Sequence, residues 1–128
     1  MTTARGTFEV DLKQISTLEE APLSRMTIDK TFHGDLEGTS RGQMMSVLTP
    51  TKGSAGYVAI ELVTGTLNGR AGQFLLQHSG LMTRGMGTLT INIVPDSGTD
   101  GLAGIRGTMT IAVVEKKHTY ELEYAIGE

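Results

Sequence analysis

The chain has 128 residues, 38% of them hydrophobic and 20% charged, with a net charge of −3 and neither cysteine nor tryptophan. That length suffices for one core, so a single domain is expected over residues 1–128. The acidic balance leaves no basic surface for nucleic acid, the missing cysteines exclude disulfides and thiolate chemistry, and no apolar run approaches the ~20 residues of a transmembrane helix.

The first ten residues, MTTARGTFEV, contain no apolar signal core. A cytoplasmic protein with no membrane partner is therefore the expectation. Gly accounts for 17 of 128 residues, nearly double the usual ~7%. The glycines separate short runs of Thr, Val, Ile, Leu and Met, the pattern of many short strands joined by tight turns.

In chain order, strand-like runs fall at 5–12, 24–33 and 37–48. The polar stretch 14–22, with Glu19-Glu20 before Ala21-Pro22, is expected to be a loop. Asp29 stands mid-strand between Ile28 and Lys30. If it turned inward it would need a buried partner, and Lys30, as its chain neighbour, points the opposite way. His33 and Glu37 flank Gly34-Asp35, a good turn dipeptide. With Asp29 they form an expected polar cluster at a barrel rim. The segment 49–56, TPTKGSAG, reads as a connector or a lid.

Two runs follow at 56–67 and 70–79, joined by Asn68-Gly69, the strongest short-range hairpin signal. A two-residue turn there places Leu67 opposite Arg70, Val63 opposite Phe74, Glu61 opposite Leu76 and Ala59 opposite His78. Glu61 and His78 become diagonal neighbours on one face, with Cβ atoms within roughly 8 Å, and Tyr57 and Phe74 share that face. A carboxylate beside an imidazole favours the charged form of both and selects one tautomer.

The remaining runs are 80–84, 87–95, 105–115 and 117–126. No segment carries a sustained helical period. Pro22, Pro50 and Pro95 sit near expected strand ends, where a missing N–H is tolerated. Leu67-x-Gly69-x-x-Gly72-x-Phe74-x-Leu76 recurs as Leu102-x-Gly104-x-x-Gly107-x-Met109-x-Ile111, with a looser relative at Leu36-x-Gly38-x-x-x-Gly42-x-Met44. Each copy reads as a turn that needs Gly, then a strand in which Gly permits a bend.

Eight or nine short strands point to an all-β sandwich or closed antiparallel barrel. In 57–63, Val58, Ile60 and Leu62 take one face and Tyr57, Ala59 and Val63 the other. With both faces apolar, the outer one is expected to be covered by another subunit or a loop, which makes a homo-oligomer the expected assembly.

Other chemistry finds less support. His33, His78 and His118 lack metal-motif spacing, so no metal or other cofactor is expected. Ser79 lacks a nucleophile elbow, and the 97–107 glycines lack the Lys-Ser/Thr of a phosphate loop.

The run Ser97-Gly98-Thr99-Asp100-Gly101-Leu102-Ala103-Gly104-Ile105-Arg106-Gly107 resembles the glycine-rich turn of allene oxide cyclase-like barrels, a calycin-like architecture. RMTIDKTFHGDLE (25–37), GSAGY (53–57), QHSG (77–80) and VPDSGT (94–99) together resemble the DUF3224 family of small bacterial proteins, over roughly residues 4–126. That resemblance implies a single closed antiparallel barrel of about eight strands and no particular activity. No residue here matches the plant cyclase's catalytic motif.

The residues leave three functions open. The chain binds a small apolar or amphipathic ligand in the barrel, held by Tyr57, Glu61, Phe74 and His78, with Asp29 and His33 as further contacts. Or it is an isomerase- or cyclase-type enzyme at the same site, with Glu61 or His78 as general base. Or it is a solidly packed oligomeric module.

Overall fold

The computed structural model of the chain describes residues 1–18 and 23–127. Eight antiparallel strands follow one another: β1 (Thr2–Leu18), β2 (Leu23–Gly34), β3 (Leu36–Leu48), β4 (Ala55–Leu67), β5 (Arg70–Thr83), β6 (Met86–Ile93), β7 (Arg106–Val114) and β8 (Lys117–Ala125). Each pairs with its sequence neighbours, and β8 returns to β1, closing a barrel. The expected all-β barrel is the fold that forms.

Two features of the strand layout differ most from the sequence reading. The runs 70–79 and 80–84 are one strand, because Gly80 stays in the ladder opposite Tyr57. A Cβ at Gly80 would lie 2.5 Å from Tyr57 Cε1, so this glycine makes room for a ring rather than ending a strand. The stretch 14–18 is strand rather than loop, since β2 pairs with it as far as Leu18↔Leu23 across a shift between Gln14 and Ser16. Residues 19–22 of that expected loop lie outside the described residues.

The Asn68-Gly69 turn has the two positive φ angles of a type I′ turn, 46° and 86°. Its register places Leu67 opposite Arg70, Val63 opposite Phe74, Glu61 opposite Leu76 and Ala59 opposite His78, as the turn predicts. The later copy of the repeat makes no hairpin. There, Leu102 ends a short 3-10 turn, Asp100–Leu102, and Gly104 redirects the chain at φ 81°. This β6–β7 connection hydrogen-bonds along β5, with Thr99 N–H donating to Gln73 O at 2.9 Å and Gln73 N–H to Thr99 Oγ1 at 3.1 Å. It carries buried Leu102 and Ile105 under one end of the barrel.

The stagger of the strands is large. Partners followed from Ala4 through Leu122, Met109, Ile91, His78, Ala59, Met44 and Met26 return to β1 at Gln14, ten residues beyond the start. Tilt and interior width grow with stagger, and an eight-stranded barrel either fills with side chains or holds one small ligand. Here the two ends differ. Leu36, Leu67, Leu102, Ile105, Tyr120 and Leu122 pack one end shut. At the other, the inward-facing Leu48, Met82, Leu89 and Val113 are exposed.

Part of the open rim is tied. Gly85 N–H donates to Gly53 O at 3.0 Å and Arg84 N–H to Ser54 Oγ at 3.1 Å, fastening the 49–54 loop to the β5–β6 turn. On the outside, Val58, Ile60 and Leu62 of β4 are exposed, with no loop over them among the described residues.

Candidate functional site

β4 contributes Tyr57, Ala59, Glu61 and Val63 to the interior at every second position, and β5 contributes Phe74, Leu76 and His78. The hairpin register brings Glu61 and His78 together: His78 Nε2 lies 2.5 Å from Glu61 Oε2. Two further residues complete the shell of the carboxylate. Lys30 Nζ, from β2, lies 2.9 Å from Oε2, and Ser40 Oγ, from β3, donates to Oε1 at 2.6 Å. Gly42 backs the carboxylate's strand, where a Cβ would stand 2.8 Å from Glu61 Cβ. All four polar residues are buried, and among the described residues no buried side-chain polar atom lacks a partner.

Burial would raise the Glu61 pKa. The hydrogen bond from His78, the charge of Lys30 and the hydrogen bonds from Ser40 and Lys30 outweigh it and hold the carboxyl at about 2. Glu61 is therefore ionised, and an ionised carboxylate only accepts. Nε2 of His78 must then carry a hydrogen, which leaves Nδ1 as the ring nitrogen that faces Tyr57. The Tyr57 hydroxyl stands 3.4 Å from Nδ1. That distance is long for an O–H donor, so the hydroxyl is loosely held. Burial, and then the negative charge of Glu61, push the Tyr57 pKa up and keep it a phenol. The Lys30 ammonium lies 5.0 Å from the Phe8 ring centre and 5.9 Å from that of Phe32, a cation–π environment that partly replaces water.

The other expected site residues lie elsewhere. Phe74 is fully buried in the core cluster opposite Val63. Asp29 points outward, 3.7 Å from Arg41 Nε. His33 is on the surface with Nε2 2.9 Å from Glu9 Oε1. That hydrogen bond, followed by the charge of Glu9, raises the His33 pKa. Glu37 accepts from Gly34 N–H at 2.7 Å. Asp29, His33 and Glu37 thus have separate partners instead of forming one rim cluster. His118 packs against Phe8, ring centres 5.1 Å apart. Among the described residues, no three His, Asp or Glu side chains are grouped as metal ligands.

The sequence reading missed Lys30 and Ser40. Strand alternation carried the signal: Ile28, Lys30 and Phe32 share one face, so Lys30 sits on the apolar side of β2 and Asp29 on the wet side. The carboxylate in need of a partner is Glu61, across two strands.

Tyr57 leads from this buried network to the open end. It lines a pocket of about 490 Å³ with Met44, Ser46, Leu48, Met82 and Leu89. The lining is mostly apolar, with Ser46, Thr88 and Tyr57 as its polar side chains, and it opens to solvent at the rim.

A family model described as "Protein of unknown function (DUF3224)" matches residues 4–124. No curated protein matches the chain. The crystal structure of a protein with unknown function from the DUF3224 family of Shewanella oneidensis MR-1 is similar throughout, at 45% sequence identity and a TM-score of 0.95, covering 100% of this chain and 98% of that one. No helix among the described residues is long and apolar enough to cross a membrane. With the family match spanning nearly its whole length, the chain belongs to the DUF3224 family.

Proposed function

We propose that the chain binds a small ligand with an apolar body and one hydrogen-bonding group, seated in the open end of the barrel against Tyr57. The observation that carries this reading is the Tyr57–His78–Glu61 chain, which begins inside an open apolar pocket and ends on a buried, charge-balanced pair. A pocket of about 490 Å³ falls within the ~300–1,000 Å³ that ligand sites occupy. The loosely held Tyr57 hydroxyl offers a guest either its one O–H or an acceptor lone pair, and Glu61 fixes the imidazole behind it. Met44 and Met82 suit a pocket that adapts to its guest.

The test is ligand screening by NMR with the labelled chain, using apolar ketones, phenols and medium-chain acids. Binders are expected to shift the Tyr57 and His78 ring resonances. Tyr57→Phe is expected to weaken them about fivefold, the loss of one modest hydrogen bond. A panel that moves neither ring would sink the reading.

A second surface supports self-association. Val58, Ile60, Leu62, Met45 and Leu81 are exposed on the outer face of β3–β5. Gln43, Thr64, Gln73, Gln77 and Ser79 beside them are uncharged, and the nearest outward charges, Arg41 opposite Leu62 and Arg25 opposite Met45, stand toward its β2 side, so a second copy can meet the β4–β5 part of this face. Sedimentation velocity would decide this: a dimer or trimer lost on Ile60→Glu is expected, and a monomer at high concentration removes the idea.

A further inference from the structure

Seven of the eight strand neighbours share long ladders, whereas β6 and β7 are registered only at Ile91↔Met109 and Asn92↔Thr108. Toward the open end, Met86–Thr90 and Thr110–Val114 exchange no ladder bonds and part company. Exposure rises along the parting, as it does at the rim residues Leu48 and Met82. At the last pair, Ile91 is 1% and Met109 3% exposed; farther out, the inward-facing Leu89 is 43% and Val113 66% exposed. The barrel is therefore slit on one side from its rim down to Ile91.

The root of the slit is beside the candidate site. Ile91 is the ladder partner of His78, Leu89 is the partner of Gly80, and Gly80 is the partner of Tyr57. Along the sheet, β6 alone stands between the slit and His78, and β6 and β5 stand between the slit and Tyr57, whose ring lies over Gly80. Leu89 also lines the pocket.

The slit also lacks the devices that usually protect or close sheet edges. Met86–Thr90 and Thr110–Val114 contain no charge and no proline. The rim is fastened between the 49–54 loop and the β5–β6 turn. Among the described residues, no such hydrogen bond joins the β5–β6 turn to the β7–β8 turn. The β7–β8 turn places Glu115 at φ 50° and Lys116 at φ 70°, an unfavourable conformation for both residue types. Local stability is lowest where backbone bonds are few and apolar groups exposed, and both conditions meet here.

Resting on the ligand reading above, we infer that the β6–β7 slit is the lateral portal through which an apolar guest reaches Tyr57, the β7–β8 hairpin being the moving wall. An uncharged, β-branched passage admits an apolar body and disfavours a strongly hydrated one. The tied side of the rim is the fixed wall.

The absence of native cysteine makes the test direct. Thr88→Cys and Ala112→Cys face each other across the slit, both pointing outward, if the Ile91↔Met109 register is continued. They are joined by oxidation or, failing that, by bis-maleimides of increasing length until one joins them. Uptake of N-phenyl-1-naphthylamine, an uncharged fluorescent amine, is then followed by stopped flow, with the His78 ring resonances confirming occupancy of the site. The joined form is expected to take up and release the probe at least roughly tenfold more slowly, as when a gating motion limits binding. The two rates should fall together, leaving the equilibrium affinity nearly unchanged, and where the join is a disulfide its reduction should restore both. Unchanged rates in the joined form overturn the portal while leaving the ligand reading intact. No uptake by the unmodified chain overturns both.

Discussion

Glu61 and His78 meet at 2.5 Å inside the barrel because a two-residue turn between their strands sets the register. Their pairing fills only part of the carboxylate. Lys30 and Ser40 arrive from two other strands to satisfy the rest. The result is a hydrogen-bonded cluster that leaves one imidazole nitrogen facing Tyr57.

The cluster makes stability fall in acid. The carboxyl of Glu61 is at about 2 in the folded chain against an ordinary 4.5. A depressed carboxyl pKa contributes stability that is fully present above the unfolded value and disappears as pH drops through the folded one. Glu61 is thus expected to contribute roughly 3 kcal/mol above pH ~5, lost progressively toward pH ~2. Urea midpoints between pH 6 and 2.5 check this. Glu61→Gln should flatten that part of the profile.

Lys30 and Glu61 are expected to be strongly coupled. Removing either partner leaves a buried charge, so Lys30→Met and Glu61→Leu should each cost about 3–5 kcal/mol. The double variant leaves an apolar pair of similar volume and should cost less than either single change. A double-mutant cycle by chemical denaturation measures the coupling. Additive losses would show that the ion pair contributes nothing beyond its separate side chains.

The β7–β8 turn is predicted to be improvable. Lys116 holds φ at 70°, which a side chain disfavours by ~1–2 kcal/mol and glycine adopts freely. Lys116→Gly should raise stability by about 1 kcal/mol, read as a higher thermal midpoint. The same change at Thr119, in a regular strand position opposite Ala112, should lower it.

Leu102 seals the closed end, fully buried beneath the β6–β7 connection. Leu102→Ala should cost about 2–5 kcal/mol by leaving a cavity. Because the candidate pocket lies at the other end, the Tyr57 and His78 ring resonances should hardly move. Large shifts there would mean that the two ends are not independent.

Much of this was readable from the chain. Asn68-Gly69 determined the hairpin and its register, because both residues tolerate the positive φ that a type I′ turn requires. Tyr57, Glu61 and His78 then fell on one face by alternation alone. Gly80 misled, since the sequence cannot tell a glycine that ends a strand from one that accommodates a ring across the ladder. Leu102–Gly107 misled in the same way: the spacing of the first hairpin recurs, but here it follows a 3-10 turn that tucks under the barrel.

What the sequence determined by itself is local: strand periodicity, turn chemistry and the pairing they impose between chain neighbours. Tertiary structure decided which face became the inside, since closure of β8 on β1 is a long-range event that no local pattern encodes. That choice turned Lys30 inward and Asp29 outward, gave Glu61 its partners from β2 and β3, and left β6 and β7 parted above Ile91. The physical reason is that a buried charge selects partners by distance in space, and the stagger of a closed barrel sets those distances only once every strand is in place.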